Sequence, residues 1–557
     1  MNTENSPHSA SGPALGRRLF LGRSLAAAAA VTLAGSTSAY AADGKSSAAL
    51  TGPVRTGTGR VSGVAAALTG VTVFKGIPFA RSTAGALRWR PPQPAEPWSG
   101  VLKADTFGDI CPQSSGQGAG AAASMTQSEN CLNLNVWTAA RSSDERRPVF
   151  VWIYGGGFSS GSGADPTFDG SALASQGLVV VTFNYRTGPF GFLAHPELSA
   201  EDAHGVSGNY GLLDQIAALK WVRRNIGAFG GDPGRVTIAG QSAGAGSVNV
   251  LLNSPLATGL FHGAIMESGV RDPHDPEIAA LPTSYRTKEA AESAGTTWAK
   301  GKSATTLAEL RALSATEVLD GSDTKDTTVT APTLGNPPSF RPVLDGYVLA
   351  RTYEETLTRG LQNAVPVLTG GNKDENGASP GTDTTVAKFR AMAGTKYGDL
   401  AEEFLALYPA TTDAEADEQT NASARDSGRV SVHLWGTEFA RHANTPVYTY
   451  WWEHVPPGAS SQGAYHTSEI VYVFDSLYAT DKAWTAADRE IAKTLSAYVV
   501  NFVEHGDPNG RGLAHWPAND PHRPATMEVG DRFGRMELAD AEKVAFFRRY
   551  YAAQRAW

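Results

Sequence analysis

Gly240-Gln241-Ser242-Ala243-Gly244 carries the most specific chemistry in this chain. A serine framed by glycines can stand on a sharp strand-to-helix turn with its hydroxyl exposed as a nucleophile. The residues before it, Arg235 to Ala239, read as a buried strand, and Ser247 to Leu252 after it read as a helix. Gly157-Phe158-Ser159-Ser160-Gly161 has the same G-x-S-x-G form. Gly, Ser, Asp and Pro follow it, which do not start a helix, so Ser242 ranks above Ser159. The chemistry of such a serine is acyl transfer, which builds an oxyanion. That charge needs preorganised donors, each worth on the order of 3 kcal/mol. Tyr154-Gly155-Gly156-Gly157-Phe158 offers backbone N–H groups with no side chain in the way.

A serine nucleophile needs a general base, and the base needs an orienting acid. On an elbow of this kind they follow the serine in the order acid, then histidine. Gly370-Gly371-Asn372-Lys373-Asp374-Glu375-Asn376-Gly377 follows a candidate strand, and either Asp374 or Glu375 could be the acid. Seven histidines lie beyond it: His433, His442, His454, His466, His505, His515 and His522. His466 sits in the loop Gly463-Ala464-Tyr465-His466-Thr467-Ser468-Glu469, and His454 at the end of the preceding strand is the runner-up. Pattern alone leaves both open.

Positioning these groups requires a scaffold of alternating strands and helices. Pro148 to Tyr154, Leu178 to Tyr185 and Arg235 to Ala239 are continuous apolar runs, as expected for strands buried on both faces. Asn209 to Ile226 between the last two repeats its apolar residues at helix period. Val365 to Gly370 and Pro446 to Val455 add further strands. The pattern predicts an α/β fold with a large, mostly parallel central sheet flanked by helices. From Pro273 to Asp320 short helices replace it, with capping boxes at Thr306/Glu309 and Ser314/Glu317. Asp320 to Pro338 reads as loop. No repeat or interdomain linker is visible, so residues 42–557 read as a single domain with helical insertions over the site.

The first 41 residues read as a cleavable export signal. Arg17-Arg18 with Leu19-Phe20-Leu21 precedes an apolar run from Leu25 to Ala34 and an Ala39-Tyr40-Ala41 cleavage site. The arginine pair points to the twin-arginine route, and so to a periplasmic or extracellular enzyme. The chain has a formal charge of -8, and signal removal makes it more acidic still. It lacks the basic footprint of a nucleic-acid binder, and no run of 18 apolar residues suggests a membrane span. Two cysteines, Cys111 and Cys131, suit a disulfide in an exported protein. They cannot form a four-thiolate metal site, and no metal or organic cofactor is implied.

Taken together, these motifs resemble the type-B carboxylesterase family, which also contains the cholinesterases. The likeness runs through Phe74-Lys75-Gly76-Ile77-Pro78-Phe79-Ala80, Leu87-Arg88-Trp89-Arg90-Pro91-Pro92, Ser128 to Trp137, Trp152 to Gly161, Asn184-Tyr185-Arg186, Gly188 to Phe192 and Phe229 to Pro233. The resemblance implies the α/β-hydrolase fold and a serine carboxylic-ester hydrolase acting on small-molecule esters, as monomer or homodimer. It implies Glu375 as the acid, His466 as the base, and Gly156, Gly157 and Ala243 as the oxyanion hole. It also implies Ser268 as a supporting serine and a loop-closing Cys111–Cys131 disulfide. Three features depart from the pattern. Gln241 replaces the commoner glutamate before the nucleophile, and Asn376 interrupts the usual Asp-Glu-Gly. The Cys111–Cys131 loop has no aromatic residue to hold a quaternary ammonium, which argues against a choline-ester specialist. The neighbouring expectations are a lipase, a narrow esterase for polar or polyanionic esters, and a non-catalytic binding protein of the same fold.

Overall fold

The computed structural model describes residues 49–50, 52–114, 124–329, 336–375 and 384–557. The expected export signal and Asn376 lie outside the described residues. The larger apolar runs become neighbouring strands. In chain order they are β1 (Val64–Ala65), β2 (Thr72–Pro78), β3 (Asn133–Thr138), β4 (Arg147–Ile153), β5 (Val179–Phe183) and β6 (Gly231–Gln241). The set continues with β7 (Gly263–Glu267), β8 (Val367–Asn372), β9 (Val447–Trp452), β10 (Ala525–Val529) and β11 (Gly534–Glu537). Their order across the sheet is β11-β10-β9-β8-β7-β6-β4-β5-β3-β2-β1. Pairing is parallel from β10 through β5 and antiparallel at both margins.

The central strands are apolar because both faces are covered. Val149, Phe150, Val151, Trp152 and Ile153 have no exposed surface, nor do Val179, Val180 and Val181. Each such side chain contributes roughly 1.5–3 kcal/mol of transfer free energy. Helix α1 (Tyr210–Asn225) buries Leu212, Ile216, Leu219 and Val222, a stripe at helix spacing. Helices α2 (Ala243–Asn253), α3 (Asp413–Ala443) and α4 (Ala486–His505) also pack on the sheet. Both predicted capping boxes form, at Thr306/Glu309 and Ser314/Glu317.

Strand order places the candidate residues. The chain goes from β4 to β5 on one side, then returns through α1 to β6 on the other. Connections leaving in opposite directions open a crevice at the carboxyl ends of β4 and β6. Register brings the other ends to the same edge: Ile153 pairs with Gly240, Gln241 with Glu267, Glu267 with Gly370, and Asn372 with Trp452. The loops after β4, β6, β7, β8 and β9 therefore converge.

Two findings depart from the sequence reading. Cys111 and Cys131 are free thiols, so the expected disulfide is corrected. Both are buried, and Cys111 Sγ accepts the Thr187 N–H at 3.4 Å. The 31-residue helix α3 was not anticipated, because much of its buried face is polar: Ser423, Asp426, Ser427, Ser431 and His433. Among the described residues no helix is long and apolar enough to cross a membrane.

Candidate active site

Ser242 occupies the junction of β6 and α2 with φ 58° and ψ -125°, a conformation costly for a residue with a Cβ. The turn is pinned from both sides. Ser242 N–H donates to Glu267 O at 2.8 Å, and Ser242 O accepts the Gly246 N–H at 2.9 Å. The flanking glycine is required by contact: a Cβ on Gly244 would lie 2.0 Å from Ile153 O. Ser159, the rival, lies in a turn, where its hydroxyl donates to Gly157 O at 3.3 Å.

Gly155, Gly156 and Gly157 follow β4 beside this elbow. A Cβ on Gly155 would stand 2.7 Å from Gln241 O and 3.0 Å from Ser242 Cβ, so the two loops touch through backbone. Gly156 has φ +102°, and its Cβ would meet Ser160 O at 2.3 Å. The N–H groups of Gly156, Gly157 and Ala243 reach no protein acceptor among the described residues. For Ala243 this is the ordinary state of an amide in the first turn of a helix, with the positive end of the dipole behind it.

The two acidic candidates separate cleanly. Asp374 Oδ1 accepts from Arg425 Nη2 at 2.5 Å, and Oδ2 accepts the Ala464 N–H at 2.9 Å. Asp374 N–H in turn donates to Ala464 O at 3.1 Å. Asp374 therefore clamps the acid loop to the histidine loop. Glu375 Oε2 lies 2.5 Å from His466 Nδ1, and its Oε1 accepts the Asn372 N–H at 2.7 Å. Burial opposes the Glu375 charge. The His466 cation, its hydrogen bond, the Asn372 amide and the neighbouring Ser268 hydroxyl outweigh that, holding the carboxyl below its usual range. Burial likewise opposes a charged His466, yet Glu375 and Glu469 raise it above the ordinary imidazole value.

The two histidines differ as sharply. His454 bonds Asp531 through Nδ1 at 2.5 Å and Asp488 through Nε2 at 2.8 Å, so both nitrogens are occupied. His466 lines a cavity of about 320 Å³ together with Ser242, Glu375 and Ser268. Its ring is approached by Gln241 Nε2, 3.2 Å from Nε2 and 3.3 Å from Nδ1. No hydrogen bond joins Ser242 Oγ to His466 among the described residues; the two side chains meet across the cavity they share. Ser268 stands at φ 54° at the end of β7, its hydroxyl without a hydrogen-bond partner of standard geometry.

Several site residues were not singled out from sequence. Asn372 donates its side-chain amide to Tyr465 O at 2.8 Å and to Glu469, joining the acid and histidine loops again. Glu469 and Glu267 are buried beneath these loops. Burial raises both carboxyls, Glu469 to about 7; the Glu469 charge adds to the shift of Glu267, and the Glu375 charge to that of Glu469. Arg271 from the loop after β7 and Arg425 from α3 also line the cavity. Only Glu469 had a local signal, through its spacing from His466. Among the described residues no cluster of His, Cys, Asp and Glu is arranged to hold a metal.

The model of the carboxylesterase family matches residues 51–547. Fumonisin B1 esterase of Sphingopyxis macrogoltabida is 39% identical over 478 residues, covering 83% of this chain and 84% of that protein. Para-nitrobenzyl esterase of Bacillus subtilis (strain 168) is 35% identical over 484 residues, 84% of this chain and 92% of its own. A solved PNB esterase superposes with a TM-score of 0.72 at 33% identity, covering 89% of this chain and 99% of that one.

Proposed function

The chain belongs to the carboxylesterase family and is a carboxylic-ester hydrolase with the α/β-hydrolase fold, and we propose that it works through Ser242, His466 and Glu375 by way of an acyl-enzyme. The observation that carries this reading is the meeting, in one cavity, of a serine on a strained elbow with an imidazole whose other nitrogen is held by a carboxylate.

In this mechanism Glu375 holds the Nδ1 proton, leaving the Nε2 lone pair to take the proton of Ser242. The serine oxygen attacks the ester carbonyl, and Gly156, Gly157 and Ala243 N–H groups receive the oxyanion. His466 then protonates the leaving alcohol, and water frees the acid by the same route. Hydrogen bonds of this kind tighten when substrate is bound, which suits the open Ser242–His466 arrangement. Gln241 meets the imidazole as a neutral donor, where a glutamate would add charge.

The test is initial rates on p-nitrophenyl esters from acetate to palmitate, with Ser242→Ala alongside. Rapid turnover that disappears in the variant supports the scheme, and the chain-length optimum separates a carboxylesterase from a lipase. Substantial turnover by Ser242→Ala refutes the mechanism. Failure of the folded wild type on every ester favours a narrow specialist or a binding protein. Export by the twin-arginine route is proposed on the Arg17-Arg18 motif and the Ala39-Tyr40-Ala41 site. N-terminal sequencing of secreted material beginning at Ala42 would support it, and retention of Met1 would refute it.

A further inference from the structure

The cavity that holds Ser242 and His466 is also lined by three cations: Arg271, Lys373 and Arg425. Each is paired with an acid, but the pairs are asymmetric in exposure. The Arg271 side chain keeps 22% of its surface exposed and its partner Asp275 1%; Arg425 keeps 25% and Asp374 5%. The carboxylates are buried, whereas part of each arginine side chain reaches solvent.

The hydrogen bonds show which donors remain. Arg271 uses Nη1 for Asp275 at 2.8 Å. Arg425 uses Nε for Lys373 O at 3.2 Å and Nη2 for Asp374 at 2.5 Å. Arg271 Nε and Nη2 and Arg425 Nη1 reach no acceptor among the described residues, and none of these nitrogens is sealed from solvent. A guanidinium anchored on one edge, with a second edge free, is preorganised to receive a carboxylate. In a chain this acidic, cations facing the nucleophile stand out against the general charge.

Resting on the esterase reading above, we propose that the substrates are anionic esters, carrying a free carboxylate near the scissile bond that Arg271 and Arg425 bind. Arg271 is the cleaner residue to test, because Arg425 also holds Asp374 and with it the acid loop.

The experiment compares kcat/KM, by pH-stat, within two pairs of esters of similar length that differ in carrying a carboxylate. Butyl hydrogen glutarate is set against butyl pentanoate, placing the carboxylate on the acid side. The butanoate ester of 4-hydroxybutanoate is set against pentyl butanoate, placing it on the alcohol side. The expected result is a preference of about 10-fold or more for the charged member of at least one pair. Arg271→Gln should reduce that ratio about 10-fold. Arg271→Lys, which keeps a charge beside Asp275 should the glutamine variant fold poorly, should reduce it as well, because an ammonium cannot bridge both carboxylates as a fork. The ratio is read within each protein, so general loss of activity does not mimic the effect. Ratios at or below one in both pairs, with the neutral esters still hydrolysed, overturn this proposal and leave the esterase intact. A preference unaltered in both Arg271 variants also overturns it. No hydrolysis of any of the four esters by the folded enzyme overturns this proposal, and the p-nitrophenyl assay with Ser242→Ala then decides the esterase reading separately.

Discussion

Two corners of this molecule contain the same chemical pair, an imidazole in contact with a carboxylate, and treat it in opposite ways. At His454 both ring nitrogens are bonded, to Asp531 and Asp488, and Asp488 is further held by Tyr472 and by its own helix cap at Thr485. At His466 only Nδ1 is bonded to a carboxylate, Glu375; Nε2 is met by the neutral Gln241 amide at 3.2 Å, and the ring lines a cavity shared with Ser242. A histidine–carboxylate contact therefore does not by itself identify a base. What distinguishes one is a ring nitrogen with no acid partner where a proton must arrive, beside a nucleophile held in a strained turn.

The comparison is broken most decisively by deleting each imidazole. His466→Ala should lower kcat/KM on p-nitrophenyl butyrate by about 10⁴-fold or more. His454→Ala should stay within a few-fold, with a lower thermal midpoint. The reverse outcome would exchange their roles. A step smaller, Glu375→Gln should cost about 10³–10⁴-fold by letting the imidazole adopt the wrong tautomer. Asp374→Asn acts only through the loop clamp and should cost markedly less in the same assay. Equal losses would remove the distinction between the two acids.

The pH dependence gives a smaller and more graded test. An imidazolium cannot accept the serine proton, so kcat/KM should rise with pH through the His466 ionisation. That group is raised by Glu375 and Glu469 against the effect of burial, so the midpoint should lie above about 6.5. Gln241→Glu adds a negative charge beside the ring and should move the limb higher still. A limb that stays in place or moves down contradicts the assigned contact.

The smallest effect belongs to the structural corner. Burial disfavours the Asp488 charge, but Thr485, Tyr472 and His454 together lower its carboxyl to about 2. A folded-state value below the unfolded one, near 3.9, means the stabilisation is complete above that value and is lost as pH falls toward 2. The thermal-midpoint gap between wild type and Asp488→Asn should therefore be widest near neutrality and shrink below about pH 4. A gap independent of pH would mean that Asp488 acts through packing alone.

The elbow was legible in sequence because everything that defines it is local: an apolar strand, a serine between glycines, and a helix. The glycine run after β4 was legible for the same reason. The choice between Asp374 and Glu375 was not, since they are adjacent and their difference lies in partners far along the chain, Arg425 on α3 and His466 beyond β9. His454 and His466 were ambiguous likewise, because Asp488 and Asp531 reach His454 only through tertiary packing. Helix α3 hid behind its polar buried face, although the capping box at Thr412 and Glu415 was a readable start. The disulfide was argued from compartment and resemblance, neither of which fixes where two sulfurs lie.

The most direct test of the central claim is covalent. The folded wild type is treated with a fluorophosphonate ester, which transfers its phosphonyl group to an activated serine, and the adduct is located by peptide mass spectrometry. The account predicts one adduct, on Ser242, formed rapidly in the wild type and slowly in His466→Ala. An adduct on Ser159, or labelling indifferent to His466, would contradict it.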